Sequence, residues 1–285
     1  SSLQISGLTR HLPQLLPLAF ELLTENCFPQ HELDLYIQNA LQRLAVQLKK
    51  SEFVANRLID SYLFGAQHPY GKYSDAADIQ ALQREQLLAF QQHYYNSATC
   101  KLFIAGQFED TDLELVDRYF GQTNWNQAIT NEPLHPVQAA KEKKYRVAHD
   151  QENVQGSIRL LRPFPEKHHP DFPRMILLNT LFGGYFGSRL MSNIREEKGY
   201  TYGIHSYLYN YRHEGGMMIS TEAGREVSEA TVTEIYKEMQ LLREVVVPEE
   251  ELQLVKNYLL GNLLGDLDGA FQVIQRWKNL LLNGF

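Results

Sequence analysis

The stretch 182–204 constrains the fold more than any other, because it reads as a turn, a short helix and a strand in direct succession. Leu190 and Ile194 are four residues apart, a spacing that gives a helix one apolar face. Gly199 follows the helix and readily adopts the left-handed backbone conformation of a helix end. Residues 200–204 then alternate aromatic and β-branched side chains, which is typical of a strand.

A glycine-rich turn precedes this helix and contains Gly183, Gly184 and Gly187. Ser188 comes directly after the turn, and its hydroxyl can accept a hydrogen bond from an unpaired backbone N–H of the first helical turn. We therefore predict that the three glycines support the start of the helix and that Ser188 caps it.

Arg195 falls at the end of the predicted helix and Tyr202 at the start of the predicted strand, so two long hydrogen-bond donors can converge on one spot. The residues alone leave two interpretations open. In the first, Arg195 pairs with a nearby carboxylate and Tyr202 packs in a core, as most such residues do. In the second, the guanidinium and the phenol hydroxyl hold the backbone carbonyls of an extended peptide.

Composition narrows the classes of function. The net charge of −7 argues against a nucleic-acid partner, which would need a surface of clustered positive charge. No apolar run is long enough to span a bilayer, and the compartment, cytoplasmic or periplasmic, is left open. Cys27 and Cys100 make neither a disulfide framework nor a metal site, and we predict that both thiols are buried.

Apolar periodicity predicts helices along most of the chain. The predicted helices lie between Thr9 and Phe28 and at 32–49, 52–64, 76–95, 113–120, 170–182 and 226–245, with a long final helix starting at Pro248. The predicted strands lie at 1–7, 100–106, 144–149, 153–161, 200–204 and 217–221.

Residues 182–204 resemble the second domain of the pitrilysin-like zinc metallopeptidases, which include insulin-degrading enzyme and the mitochondrial processing peptidase. The shared pattern is Gly-Gly…Ser-Arg-Leu…Arg-Glu-x-x-Gly-x-x-Tyr. The first half resembles the later part of that family's first domain, through Phe-Gly-x-x-His-Pro-Tyr-Gly at 64–71 and Ala-Phe…Tyr-Tyr…Leu-Phe-Ile-Ala-Gly at 89–106. The resemblance implies that Arg195 and Tyr202 form a pair that helps to bind substrate.

The resemblance also implies an α+β architecture of two related α/β-roll domains, each a largely antiparallel sheet with helices packed on one face. Residues 1–121 then form the later part of the first domain and 143–285 the early part of the second, so both domains are expected to be incomplete. Residues 122–142 lack periodicity and contain two prolines, and are expected to form the linker.

A catalytic member of this family needs a His-x-x-Glu-His helix and a more distant Glu as zinc ligands. None of the ten histidines begins this motif, and the nearest match, at 149–153, has Asn153 in place of the second His. The acidic positions of the helix that supplies the distant Glu align here with Tyr36 and Arg43, and a cation at a ligand position repels zinc. We therefore expect no cofactor in this chain, and zinc only in a catalytic partner or homologue.

The leading hypothesis is a non-catalytic, substrate-binding subunit or portion of such a peptidase, inactive alone. It would hold peptide or unfolded polypeptide in a homo- or heterodimer whose zinc-bearing member cleaves it. Two alternatives stay open. One is a structural or interaction protein of the same fold that binds no peptide, and the other is a truncated active zinc metallopeptidase, which Arg43 disfavours.

Overall fold

The structure, a computed structural model, describes residues 2–25, 27–122, 124–125, 135–149, 154–212 and 214–285. Its backbone contacts divide the chain into two compact units. The first unit consists of Ser1–Arg43, Ser74–Leu134 and Asp266–Phe285, and the second consists of Leu44–Tyr73 and His135–Gly265.

Helices are the predominant secondary structure of the described chain in both units. The α-helices are α1 (Leu12–Thr24), α2 (Gln30–Gln47), α3 (Ser51–Phe64), α4 (Ala76–Gln80), α5 (Arg84–Tyr94), α6 (Asp110–Val116), α7 (Phe172–Asn179), α8 (Ser228–Glu244), α9 (Glu249–Gly265) and α10 (Ala270–Leu282). Three further segments are π-helical. Asp117–Gly121 follows α6, Thr180–Gly184 follows α7, and Met191–Glu197 comes later in the same unit as α7. The predicted domain boundaries stay a prediction, and residues 123 and 126–134 of the predicted linker lie outside the described part.

The second unit contains a three-stranded antiparallel sheet, which together with the helices confirms the α+β prediction. Its strands are β1 (Gln155–Pro163), β2 (Thr201–Asn210) and β3 (Gly215–Gly224), in the order β1-β3-β2. The turn between β2 and β3 is closed by a hydrogen bond from the Tyr211 N–H to the Glu214 carbonyl (2.8 Å). The sequence located this hairpin correctly, because its alternating strands flank a polar, glycine-containing turn.

The core of the second unit lies between one face of this sheet, the helical segments that connect β1 to β2, and α8. Its buried residues are Phe182, Leu190, Met191, Ile194, Ile204, Ile219 and Ile235. Leu190 and Ile194 are both 0% exposed, which confirms the predicted apolar face of their helix. Since side chains alternate along a strand, Leu160 packs against this core while Arg159 points to the opposite face, where it contacts Asn56 of α3.

Three predicted strands are wrong, because no described residue of 1–7, 100–106 or 144–149 belongs to a strand in the structure. A strand requires a hydrogen-bonded neighbour, and within the described residues these segments pair with none. The predicted long final helix is also wrong, since it is divided into α9 and α10. Gly269 lies at the break with φ of 101°, a backbone conformation that a continuous helix cannot contain. Finally, both cysteines are exposed and not buried.

The end of α3 and the turn after it form an aromatic cluster with the β2–β3 hairpin. The Tyr70 and Tyr211 rings stack with centroids 4.1 Å apart, and Phe64 packs edge-on against both. His68 is buried and accepts a hydrogen bond from the Tyr70 N–H at Nδ1 (3.1 Å), so its Nε2 is the atom that donates to the His135 carbonyl (3.1 Å). The His-Pro-Tyr-Gly turn is therefore held by a neutral imidazole of one defined tautomer.

We expect the ionisation of Asp60 to make the stability of the folded chain depend on pH. Burial raises the pKa of its carboxyl above the ordinary value of 3.8, although the hydrogen bond from the Tyr73 hydroxyl lowers the pKa in part. When the pKa of a carboxyl group is higher in the folded chain than in the unfolded chain, its contribution to stability is greatest at pH values below the unfolded-state pKa. That contribution is lost as the pH rises through the folded-state pKa. We expect Asp60→Asn, which cannot ionise, to gain stability relative to the parent chain across that pH range, as measured by urea unfolding at stepped pH.

The matched control is Asp171→Asn, which removes a carboxylate from a surface pair with Arg174. Its stability difference from the parent is expected to change less over the same pH range, since surface pairs contribute little. The same pH dependence in both variants would contradict the assignment to Asp60.

Candidate functional site

Arg195 projects from the wide helical segment Met191–Glu197. The end of this segment is closed by hydrogen bonds from the Lys198 N–H to the Asn193 carbonyl (2.9 Å) and from the Tyr200 N–H to the Ile194 carbonyl (3.0 Å). Gly199 has φ of 65°, as predicted for the residue that ends the helix. The chain then enters β2 after one further residue, which brings Arg195 close to the start of that strand.

Tyr202 lies at a β-bulge near the start of β2. At this position β2 carries Tyr202 and Gly203 where β3 carries only Glu222. A bulge bends the strand and redirects its side chains, and the Tyr202 side chain is 90% exposed. The interpretation in which Tyr202 packs in a core is therefore wrong.

The Arg195 guanidinium is fixed by three contacts. Its Nε donates to the backbone carbonyl of Tyr202 (3.0 Å), and its Nη1 lies 3.5 Å from a carboxylate oxygen of Glu196. The guanidinium carbon lies 4.7 Å from the centre of the Phe186 ring, a cation–π arrangement. Nη2 has no hydrogen-bond partner among the described residues, so the side chain is held in place while donors remain available.

An open pocket of about 390 Å³ lies between these groups, and it is lined by Arg195, Glu196, Gly199, Thr201 and Tyr202. The structure therefore brings together the two side chains that the sequence singled out, at one solvent-accessible position. Both are hydrogen-bond donors. A ligand that presents carbonyl or carboxylate oxygens would match them.

The glycine-rich turn lies directly before the helix that carries Arg195. A Cβ on Gly183 would come within 2.9 Å of both the Leu190 side chain and the Ser206 backbone nitrogen, so no larger residue fits there without displacement. Gly184 belongs to the π-helical segment after α7, and a Cβ on Gly187 would come within 2.9 Å of the Tyr185 ring. The turn is compact because the backbone itself packs against neighbouring groups.

The predicted cap by Ser188 is wrong. Its side chain is 1% exposed, and the hydroxyl has no hydrogen-bond partner among the described residues. Its backbone is paired on both sides: the Ser188 N–H donates to the Tyr185 carbonyl (3.1 Å), and its carbonyl accepts from the Ser192 N–H (2.9 Å).

A bidentate ion pair attaches the helix that carries Arg195 to α9. Arg189 donates from Nε and Nη2 to the two carboxylate oxygens of Glu251, both at 2.7 Å, and this contact raises the pKa of the guanidinium. Asn193 donates to Glu238 of α8 (2.7 Å). Paired hydrogen bonds of this kind fix orientation as well as distance, so the helix that carries Arg195 is anchored on two sides.

Tyr36 and Arg43 lie on α2 in the first unit, and both are exposed. The Arg43 Nε points back to the Asn39 carbonyl of its own helix (3.4 Å). A phenol and a guanidinium do not fit the carboxylate positions of a zinc site. In the described part of the chain, no group of three or more His, Cys, Asp and Glu side chains could hold a metal ion. The absence of zinc from this protein stays a prediction, and residues 150–153 of the nearest His-x-x-Glu match are not among those described.

Three residues of the site were missed by sequence reasoning: Phe186, Glu196 and Thr201. Phe186 lies nine positions before Arg195, a separation that no helical or strand period connects, so no sequence pattern predicted their contact. Glu196 and Thr201 are direct neighbours of the predicted pair, and adjacency was the only signal available for them.

Comparison with known proteins finds a match to the family model described as the peptidase M16 inactive domain, over residues 81–259. The uncharacterized zinc protease YmxG of Bacillus subtilis is 24% identical over 204 residues, which cover 70% of this chain and 48% of that relative. The chain thus spans about half the length of this curated relative.

Solved structures show the same fold. The peptidase M16 inactive domain from Pseudomonas fluorescens superimposes with a TM-score of 0.71 at 24% identity, covering 87% of this chain and 60% of that one. A protease from Helicobacter pylori gives a TM-score of 0.84 at 17% identity, covering 96% of this chain and 68% of that one. Among the residues described here, no helix is long and apolar enough to cross a membrane.

Proposed function

Since this chain belongs to the peptidase M16 inactive domain family, we propose that it is a non-catalytic module that holds extended peptide for a zinc-bearing partner. The observation that carries the proposal is that Arg195 and the exposed Tyr202 line one open pocket. In this role the chain supplies positioning, which increases the rate of cleavage by holding the scissile bond where the partner can act.

The donors at the pocket suit a peptide backbone. An extended peptide presents carbonyl oxygens at regular intervals, and the unpartnered Nη2 of Arg195 and the exposed hydroxyl of Tyr202 can both donate to such oxygens. The edge of β2 away from β3 is partly occupied, since the Ser206 carbonyl accepts a hydrogen bond from the Asn179 Nδ2 (3.0 Å) and the Ile204 N–H lies 3.4 Å from the Met191 Sδ. The proposed contacts to a peptide therefore come from the two side chains.

Replacing Arg195 tests the proposal directly. A hydrogen bond to a charged group contributes about 1.5–3 kcal/mol, and 1.4 kcal/mol corresponds to a factor of ten in affinity. We therefore expect Arg195→Ala to weaken the binding of a fluorescein-labelled unstructured peptide about 10- to 100-fold. Tyr202→Phe removes a neutral donor and is expected to weaken binding about fivefold. Fluorescence anisotropy gives both dissociation constants.

The matched controls are Arg174→Ala and Tyr236→Phe, which alter exposed residues of the same types on α7 and α8. Peptide affinity should be unchanged in both, and all four variants should keep the parent melting temperature within a few degrees. Unchanged affinity in Arg195→Ala would contradict the proposal and favour a structural or interaction role for the fold.

The partner role is measured by adding a zinc-bearing member of the family and following peptide cleavage. Arg195→Ala should lower kcat/KM in the mixture, whereas Arg174→Ala should leave kcat/KM unchanged. Equal cleavage with both variants would contradict the partner role. Cleavage by this chain without any partner, abolished by a chelator, would favour the truncated active metallopeptidase.

A further inference from the structure

The bulge at Tyr202 removes backbone groups from the ladder between β2 and β3. The Gly203 N–H, the Gly203 carbonyl and the Glu222 carbonyl lie where the two strands are out of step. Unpaired backbone groups in a protein interior are costly, so they require other partners.

Two buried threonine hydroxyls supply those partners. The Thr201 Oγ1 accepts a hydrogen bond from the Gly203 N–H (3.1 Å) and donates to the Glu222 carbonyl (2.7 Å). The Thr221 Oγ1 lies 2.9 Å from both the Gly203 carbonyl and the Thr201 Oγ1, so it can donate to either. Thr201 is 9% exposed and Thr221 is 1% exposed, which shields these bonds from competition by water.

Arg195 provides the remaining bond of the bulge, from its Nε to the Tyr202 carbonyl. The backbone on both sides of the Tyr202 Cα is thus held by side chains: its own carbonyl by the guanidinium and the following residue by the threonine pair. The direction in which the phenol leaves the strand is set by that backbone.

We infer that Thr201 and Thr221 are positioning residues that fix the direction in which the Tyr202 Cα–Cβ bond leaves β2 beside the Arg195 pocket. Valine has nearly the same shape as threonine and suits a strand equally well, so packing alone does not require hydroxyls at these two positions. The two hydroxyls are needed because they form hydrogen bonds with the backbone groups of the bulge. The inference extends the proposed peptide-binding role, on which its functional part rests, while the structural part concerns the bulge alone.

The test is Thr201→Val, which keeps the shape and removes the hydroxyl, compared with Thr201→Ser, which keeps the hydroxyl. In Thr201→Val the Gly203 N–H loses its acceptor, so we expect its hydrogen exchange to accelerate about tenfold or more. A 3-fluorotyrosine at position 202 should show a shifted or broadened ¹⁹F resonance, because the backbone that sets the Tyr202 Cα–Cβ direction is no longer held in one conformation. Thr201→Ser should restore both signals towards those of the parent chain.

Thr231→Val is the matched control for loss of a buried threonine hydroxyl. Thr231 is 0% exposed, and within the described part of the chain its hydroxyl bonds only to the Val227 carbonyl of the preceding helical turn. Its replacement should leave the Gly203 exchange rate and the fluorine signal unchanged. Thr221→Val, by contrast, should change the fluorine signal as Thr201→Val does but accelerate Gly203 exchange less, because the Gly203 N–H keeps the Thr201 Oγ1 as its acceptor.

Peptide affinity separates the two parts of the inference. If the proposed function holds, Thr201→Val should weaken peptide binding several-fold and Thr201→Ser should restore it. If the parent chain binds no peptide but Gly203 exchange and the fluorine signal change as expected, the proposed function fails and the positioning role stands. If Thr201→Val and Thr231→Val have the same effect on Gly203 exchange, the positioning role is overturned.

Discussion

Replacing Glu222 with alanine is expected to lower the free energy of unfolding by about 3 kcal/mol, because it leaves Arg159 buried without its carboxylate. The Arg159 side chain is only 5% exposed, and its Nη2 lies 2.7 Å from a carboxylate oxygen of Glu222. The guanidinium also donates to Asn56, Ile158 and Thr221. These bonds hold the cation in place and do not neutralise it. The expected loss is at the lower end for a buried pair because Glu222 is itself 38% exposed.

The measurement is urea unfolding at neutral pH, with Glu229→Ala as the matched control. Glu229 pairs with Arg146, but both side chains are more than three-quarters exposed. Such pairs contribute about 0–1 kcal/mol. Equal losses in the two variants would show that burial of Arg159 does not govern the effect.

Replacing Ile194 with alanine is expected to cost about 3 kcal/mol, within the range for deleting a buried aliphatic side chain. Ile194 is 0% exposed and belongs to the core cluster beneath the sheet. Its carbonyl also accepts the hydrogen bond from Tyr200 that closes the helix. The loss of its side chain therefore creates a cavity directly below the segment that carries Arg195.

Ile176→Ala on α7 is the control, since Ile176 is 38% exposed and its replacement leaves a smaller void. We expect it to cost about 1 kcal/mol. Thermal or urea unfolding of both variants provides the comparison. A loss at Ile176 equal to that at Ile194 would place the core elsewhere than the sheet face described here.

The elements that could be predicted from the sequence are those specified by local patterns. Leu190 and Ile194 predicted a buried helix face through their spacing, and Gly199 predicted the helix end through its backbone freedom. The β2–β3 hairpin was predictable because both strands and their turn lie within 24 consecutive residues. In each case the residues that determine the structure are close together in the chain.

The features that could not be predicted depend on distant partners. The backbone at the Tyr202 bulge is bonded by the Thr221 hydroxyl of the neighbouring strand. The Arg159 side chain is held by a hydrogen bond to Asn56 of α3. The strand predicted at 100–106 has a suitable composition, but composition supplies no neighbouring strand. Ser188 matches the preference for a cap residue, yet tertiary packing buries its hydroxyl.

The wide helical segment Met191–Glu197 makes chain length a constraint on the site. Each residue of an ordinary α-helix advances about 100° around the axis, and a π-helical turn accommodates one more residue than an α-helical turn. Deleting one residue here with relaxation to α-helical geometry would leave Arg195 at nearly its present angle from Leu190, because the residue removed is the extra one of the wide turn. Adding one residue would instead rotate Arg195 by about one such step and take the guanidinium away from the Tyr202 carbonyl. Exposed positions of this segment can therefore accept substitutions, whereas a single-residue insertion would disrupt the site.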